Sequence, residues 1–209
     1  GRVAVTCFAS NIARIHSICM AAQANARSVA IVGRALNRAI SAAREVGYLN
    51  DLPDFVQEND IDLLPPNSLV IVCTGTQGEP RAAMTRIAAG THETVSLQAG
   101  DTVIYSSRQI PGNETAIARV QDVLIRRNIE LVTDHEAPVH VSGHPSRDEM
   151  VDMYGLVRPK IAIPVHGTAR HLQAHAELAK ACQVQQTLLP NNGAMIRLNG
   201  SEAAIIDNV

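Results

Sequence analysis

Short apolar runs rich in β-branched residues recur along this chain, and each is followed by a segment whose apolar residues have helical spacing. Continuous apolar runs are typical of strands that are buried on both faces of a sheet. Strands that alternate with helices favour a mainly parallel sheet with right-handed crossovers. The predicted strands are VAVTCF (3–8), SVAIVG (28–33), SLVIVCTG (68–75), DTVIYSS (101–107), IELVTD (129–134) and KIAIPVH (160–166).

Helices are predicted over residues 11–25, 35–49, 79–90, 113–128, 146–157 and 169–183. Ser10 or Asn11 can cap the first helix, Pro80 suits the first turn of the third, and Asn113 can cap the fourth. Segment 50–67 is predicted to be a loop or a short irregular excursion. The fold class is therefore α/β, with a Rossmann-like parallel sheet flanked by helices.

The pattern changes near the end of the chain, where QQTLLP, AMIRLNG and EAAIIDNV form short apolar runs. The turn sequences NNG and NGS separate them, which predicts antiparallel hairpins. An α/β tail that ends in short antiparallel strands is therefore expected after the parallel sheet.

Composition narrows the class of protein. Hydrophobic residues make up 46% of the 209 residues and charged residues 18%, so a sizeable core can form. The formal net charge of −2 gives no global basic field, and 2% aromatic residues are too few for a base-stacking platform. The cysteines are widely spaced and no apolar run is long enough to span a membrane, which favours reduced thiols in a soluble, cytoplasmic protein.

Polar and Gly-rich loops follow the predicted strands, at the edge where open α/β sheets bind ligands. In TGTQGEP (74–80), the loop residues Thr76, Gln77 and Gly78 could contact an anion, because the glycines allow close approach and a helix follows. In SSRQIPGNE (106–114), the serines and the arginine could donate to phosphate oxygens. A capped turn explains either loop at least as well when it is considered alone.

The motif HVSGH (140–144) gives a stronger indication of function. His140, Ser142 and His144 alternate, so on an extended strand they would face the same way. Two imidazoles and a hydroxyl on one face suit phosphate binding and acid–base chemistry. His166, at the end of the strand KIAIPVH, would need further ligands to hold a metal and is otherwise a structural residue.

Five segments, in this order along the chain, resemble the ribonuclease J branch of the β-CASP metallo-β-lactamase nucleases. They are FASNIARI, TGTQGEP, SSRQIPGNE, HVSGHPSRDEM and RPKIAIPVHGTARHL. The resemblance covers nearly the whole chain. It implies a two-zinc ribonuclease that acts 5′ to 3′ on RNA carrying a 5′-monophosphate and also cleaves internally.

The resemblance also implies roles for individual residues. Ser107, His140 and Ser142 would contact the RNA phosphate. His144 and His140 would act at the catalytic centre, and His166 would be a metal ligand in the complete enzyme. The resemblance further implies a homo-oligomeric parent protein.

The chain departs from the family pattern in one respect, since it contains no HxHxDH metal motif. We therefore expect a β-CASP domain at 1–146 and the C-terminal segment of an incomplete lactamase domain at 147–209. The expected partners are RNA and the missing N-terminal lactamase half. This piece is predicted to hold no tightly bound metal and to be inactive alone, and its tail is predicted to expose an apolar patch and either self-associate or be disordered.

Two other functions remain open at this point. The first is a non-enzymatic module of the same fold that binds RNA or phosphate, in a parent protein without metals. The second is a Rossmann-type nucleotide-binding enzyme, which ranks well behind because FASN stands where GxGxxG should follow the first strand.

Overall fold

A computed structural model of the chain describes residues 1–199 and 202–209. It divides into two compact units, Gly1–Val141 and Ser142–Val209. The assignment of 1–146 and 147–209 to two named domains stays a prediction. Part of the predicted NGS turn, residues 200 and 201, lies outside the described residues.

The first unit is built on a five-stranded parallel sheet with the order β2-β3-β1-β4-β5. This confirms the predicted α/β class. The strands are β1 (Val3–Thr6), β2 (Ser28–Val32), β3 (Leu69–Cys73), β4 (Thr102–Tyr105) and β5 (Glu130–Val132). The helices between them are α1 (Ile12–Ala24), α2 (Arg34–Glu45), α3 (Ala83–Ala88) and α4 (Glu114–Arg126).

The sheet is buried on both faces, as its continuous apolar strands predict. Alternate residues of the same strand enter two different cores, because successive side chains of a strand point to opposite faces. On one face Val5 and Val72 pack with α1 and α2. On the other face Ala4 and Ile71 pack with α3 and α4.

Segment 46–68 carries the chain from one face of the sheet to the other. Val56 lies beside β2, where its backbone N–H donates to Val29 O at 2.8 Å. Two short 3-10 helices follow, Glu58–Leu63 and Pro66–Ser68, and Ile61 joins the core beneath α3 and α4. Segment 50–67, which was predicted to be a loop or irregular, therefore allows α2 and α3 to cover opposite faces of the sheet.

The helix starts agree with the sequence in part. Asn11 caps α1, since its Oδ1 accepts from Arg14 N at 3.0 Å. The prediction for Pro80 is wrong, because α3 begins only at Ala83. Asn113 occupies the cap position of α4, but its side chain makes no capping bond there.

The second unit contains α5 (Arg147–Val157), β6 (Ile161–Ala162), α6 (Ala169–Ala181), β7 (Gln186–Thr187), β8 (Ala194–Arg197) and β9 (Ala204–Asn208). β8 and β9 pair antiparallel as predicted. The hairpin expected for QQTLLP is wrong, because α6 forms a crossover that returns β7 parallel to β6. The core of this unit is small and consists of Ala162, Ala179 and Val184 with Tyr154 packed against it.

The second unit exposes many large apolar side chains. They are Val151, Met153, Leu156, Val157, Val165, Leu189, Met195, Leu198, Ile205, Ile206 and Val209. Across the whole described chain, no helix is both long and apolar enough to cross a membrane. Cys7, Cys19 and Cys73 are buried free thiols, and Cys182 is a half-buried one.

Candidate functional site

The polar loops of the first unit meet at the carboxyl edge of its sheet, as the strand pattern predicts. β4 ends at Tyr105 and is followed at once by Ser106 and Ser107. The neighbouring strand β5 ends at Val132, and Asp134 follows it. Parallel pairing therefore brings the SSR loop and the loop after β5 to the same edge.

Arg14, which sequence reasoning missed, fixes the segment that leads into HVSGH. Its Nη1 donates to Ser106 Oγ at 2.6 Å and to Val139 O at 2.7 Å. The Ser106 hydroxyl itself donates to Val139 O at 2.6 Å. This arrangement joins the first turn of α1, the end of β4 and the segment around Val139. Two sequence signals could have identified Arg14: it follows the carboxyl end of β1, and it lies within the segment FASNIARI.

The predicted strand over HVSGH is wrong, because the structure has no strand at 140–144. The carbonyl oxygens of Val139 and Val141 accept from the Arg14 guanidinium instead of from a neighbouring strand. The motif also passes from one compact unit into the other, with His140 in the first and Ser142 and His144 in the second. The inference that these side chains share one strand face therefore has no basis.

His140 is half-buried at this edge, and its Nδ1 is buried without a hydrogen-bond partner in the described part of the chain. Burial lowers the pKa of His140 below its ordinary value of 6.5, and the charges of Arg14 and Arg108 lower it further. The charge of Asp134 and the backbone of Ser106 act in the opposite direction. Asp134 also pairs with Arg108 at 3.3 Å, so much of its charge is compensated. Because its pKa lies below 6.5, the imidazole is mostly neutral at pH 7, and its buried Nδ1 stays unpaired among the described residues.

Ser107 differs from the adjacent Ser106. Both are 5% exposed, but the Ser107 hydroxyl forms no hydrogen bond with the described residues. It lines a cavity of about 300 Å³ together with Thr76, Thr133 and Tyr105. The Tyr105 hydroxyl is buried there and also lacks a partner among the described residues. No hydrogen bond in the described chain joins Ser107 to His140.

Gln77 holds two loops together. Its Nε2 donates to Arg108 O at 2.9 Å, and its Oε1 accepts from Ile110 N at 2.9 Å and from Asn113 Nδ2 at 3.2 Å. The last bond engages the Asn113 amide group, whose oxygen makes no capping bond to α4. The Gln77 side chain therefore has an internal role, and its phosphate contact stays a prediction.

The glycines of TGTQGEP serve packing in this structure. Gly78 has φ +70°, and a Cβ there would lie 2.4 Å from Ala116 C in α4. Gly75 has φ +119° and approaches Met84 in α3. Thr74 O accepts from Met84 N at 2.9 Å, so α3 offers little free donor capacity at its start. Contact of Thr76 and Gly78 with phosphate likewise stays a prediction.

In the second unit, the rings of His144 and His166 stack with centroids 6.2 Å apart and an interplanar angle of 20°. Both side chains are exposed. His166 has φ +62°, which is uncommon for a residue other than glycine. The left-handed turn, together with Gly167, directs the chain from β6 into α6. Two histidines that are 22 residues apart in the sequence are thus brought side by side.

This pair does not make a complete metal site. Imidazole nitrogens suit zinc, but a zinc site takes at least three protein ligands. No group of three or more His, Cys, Asp or Glu residues in the described chain is placed to hold a metal ion. His144 and His166 can therefore supply only part of such a site.

The first unit is an open parallel α/β sheet, and its polar loops meet at the carboxyl edge, where proteins of this class commonly bind ligands. Residues 1–124 match the family model "Ribonuclease J, beta-CASP domain". Residues 135–187 match "Zn-dependent metallo-hydrolase RNA specificity domain". The chain therefore belongs to the ribonuclease J family, which confirms the resemblance that the five segments indicated.

Curated relatives support this assignment over nearly the whole chain. The chain is 44% identical to ribonuclease J of Sinorhizobium meliloti over 207 residues, which is 99% of this chain and 37% of that protein. It is 44% identical to ribonuclease J of Mycolicibacterium smegmatis, over 98% of this chain and 37% of the relative. The Synechocystis ribonuclease J is 38% identical, over 100% of this chain and 33% of the relative. The chain thus spans about a third of the length of these relatives.

Proposed function

We propose that the chain binds phosphate groups of RNA at the carboxyl edge of its parallel sheet, as part of a zinc-dependent ribonuclease. The observation that carries the proposal is the pair of unused polar groups at this edge. The buried Nδ1 of His140 and the Ser107 hydroxyl have no partners among the described residues. A buried polar group is nearly always hydrogen-bonded, so the Nδ1 of His140 is suited to an incoming ligand. The Ser107 hydroxyl is available because no hydrogen bond with the described residues occupies it, and it lines a cavity different from the one that His140 lines.

The chemistry of the edge favours a phosphate. A neutral His140 can donate one hydrogen bond, and Ser107 can donate another. Arg14 adds positive charge, since it lowers the His140 pKa, whereas the charge of Arg108 is partly offset by its ion pair with Asp134. We propose Ser142, at the start of the second unit, as a third phosphate contact. The 5′-monophosphate of single-stranded RNA is the proposed substrate group.

His144 and His166 are proposed for the reaction itself. In the whole protein His166 would be one of several metal ligands, and His144 would lie beside the scissile phosphate with His140 assisting. Zinc, when bound by a complete ligand set, supplies an activated water and stabilises charge on phosphorus. The exposed, stacked pair of imidazoles supports this proposal because both rings are accessible to ligands from elsewhere.

We propose that these 209 residues alone do not cleave RNA and hold no zinc tightly. The sequence contains no HxHxDH motif, and the relatives are almost three times as long. The lactamase half of the whole protein is the proposed partner that completes the site, within a homo-oligomer. Incubation of the purified chain with RNA and zinc is expected to give no cleavage. Cleavage that a chelator blocks and that His166→Ala abolishes would overturn this part of the proposal.

A non-enzymatic RNA-binding module is the second candidate. One observation favours it: the phosphate-binding residues Ser107 and His140 belong to a unit with its own two-faced core, separate from the histidine pair. The presence or absence of HxHxDH in the remainder of the parent sequence decides between the two functions.

A further inference from the structure

Three arginines without ion-pair partners line one small cavity in the first unit. Arg34, Arg81 and Arg86 surround a space of about 290 Å³ at the carboxyl ends of β2 and β3. None of the three forms an ion pair or a side-chain hydrogen bond with the described residues, and the Arg86 Nε is buried without a partner. Other arginines of this unit, such as Arg14 and Arg127, are bound to carbonyl oxygens or hydroxyls.

The cavity also has a buried imidazole in its wall. The His92 side chain is only 4% exposed, and its Nδ1 lies near Thr94. Its Nε2 has no hydrogen-bond partner in the described chain, and it lies 4.0 Å from Glu58 Oε1, beyond hydrogen-bond distance. Burial and then the charge of Arg86 lower the pKa of His92 below its ordinary value of 6.5, although Glu58 and Glu93 act in the opposite direction. The ring is therefore mostly neutral at pH 7 and can donate a hydrogen bond.

Helix α2 begins at the same cavity. Its cap residue Gly33 supplies no side chain, and its first turn contains no acidic residue. The backbone N–H groups and the positive end of the helix dipole therefore favour an anion there. The one carboxylate in the wall, Glu58, accepts a hydrogen bond from Thr94 at 2.5 Å. Three guanidinium groups against one carboxylate leave the cavity positive, although the chain as a whole has a net charge of −2.

We infer that this cavity is a second phosphate-binding site, which takes a backbone phosphate of RNA. A guanidinium group can donate hydrogen bonds to two phosphate oxygens at once, and a neutral imidazole adds another hydrogen-bond donor. The inference rests on the proposed function for its choice of RNA as the source of the phosphate. The cavity and the Ser107 loop lie at the same edge, three strands apart in the order β2-β3-β1-β4, which is about 14 Å at ~4.8 Å per strand. One extended RNA strand passing along this edge reaches both.

The test compares two pairs of substitutions that remove the same charge. Arg34→Gln/Arg81→Gln changes the cavity, and Arg38→Gln/Arg119→Gln changes exposed arginines elsewhere in the first unit. All four side chains are exposed, so both variants are expected to fold, which circular dichroism checks. The probes are a single-stranded RNA with a 5′-hydroxyl, which avoids the 5′-phosphate contact, and inorganic pyrophosphate.

For the cavity pair, affinity for the 5′-hydroxyl RNA is expected to fall roughly tenfold at low salt, and the magnitude of the slope of log K against log salt is expected to fall by about 0.7, because one phosphate contact is lost. The control pair is expected to lose less than about twofold. Equal losses in the two pairs would overturn the site, because only bulk charge would then matter.

The pyrophosphate arm separates the two possible sources of the phosphate. Amide shifts at Gly33, Arg34 and His92 that vanish in the cavity pair, without an effect on RNA affinity, would assign the site to a small phosphate compound and overturn RNA as its ligand. If the wild-type chain bound no RNA at all, the proposed function would fail while this arm still tested the site. If the wild-type chain bound no RNA and pyrophosphate also caused no amide shifts at these residues, the anion site itself would be overturned.

Discussion

Arg14 Nη1 donates to Ser106 Oγ at 2.6 Å and thereby ties the first turn of α1 to the end of β4. Because Ser106 also donates to Val139 O, its hydroxyl is fully used inside the protein. The next residue, Ser107, is equally buried but has no such bonds. Ser106 therefore holds the site together, whereas Ser107 is free to take the ligand-binding role that we propose for it.

The two serines can be tested as a matched pair. Ser106→Ala is expected to lower the free energy of unfolding by about 1–2 kcal/mol, because the Arg14 guanidinium loses a buried acceptor. Ser107→Ala is expected to leave that free energy nearly unchanged and to weaken binding of 5′-monophosphorylated RNA. Urea denaturation and fluorescence anisotropy measure the two effects. Loss of stability in Ser107→Ala with unchanged RNA affinity would contradict the assignment.

The Gly-rich loop TGTQGEP offers a second test, which asks whether its Gly78 serves packing rather than contact with a ligand. Gly78→Ala is expected to destabilise the protein by about 3 kcal/mol or more, because a Cβ there would lie 2.4 Å from Ala116 C. Gly47→Ala is the control, since Gly47 has φ +93° but nothing within 4 Å of the added Cβ. That variant should lose only about 1 kcal/mol, from backbone strain. If urea denaturation showed that the two variants lose the same free energy of unfolding, the close approach of Gly78 to α4 would not matter for stability.

The strands could be predicted from the sequence because their signal is local. Continuous apolar runs locate all five strands of the sheet to within two residues at each end. The rule that loops gather at the carboxyl edge also placed Ser107 and Asp134 near each other. Local periodicity was enough for these features, since burial on both faces leaves no other arrangement for such runs.

The contacts that shape the site could not be predicted, because they join residues far apart in the chain. Arg14 and Val139 are 125 residues apart, and their bond replaces the strand expected at HVSGH. The role of Gln77 depends on Arg108 and Ile110, which the sequence does not connect to it. His92 carried no spacing signal at all, and only the fold reveals its neighbours.

The stability of the protein is predicted to fall as the pH is lowered from 7 to 5. The folded-state pKa values of His92 and His140 both lie below 6.5, so the unfolded chain takes up protons first as the pH falls. Their contribution is fully present above pH 6.5 and decreases below it. This interval stays above the ordinary glutamate pKa of 4.5.

The variants His140→Gln and His92→Gln/His140→Gln are expected to show progressively weaker dependence of stability on pH. Urea denaturation at pH 5, 6 and 7 measures it. A wild-type free energy of unfolding that is constant over this range would contradict the lowered pKa values.

The exposed apolar side chains of the second unit predict self-association of the isolated chain. Leu156 is 82% exposed and Ile206 is 52% exposed. Apolar surface of this extent favours protein–protein contact. Leu156→Lys/Ile206→Lys is expected to reduce a concentration-dependent sedimentation coefficient, whereas Val46→Lys, an exposed residue of the first unit, should not. A wild-type chain that sediments as a monomer at every concentration would refute the prediction.

The most direct test of phosphate binding is an NMR titration of the chain with two short RNAs that differ only in a 5′-monophosphate or a 5′-hydroxyl. Amide shifts at Ser107, His140 and Ser142 that appear with the phosphorylated RNA alone are the predicted result, and they would show a formed phosphate pocket at the carboxyl edge. Identical shifts with both RNAs, or none at these residues, would contradict the assignment of the pocket to the 5′-phosphate.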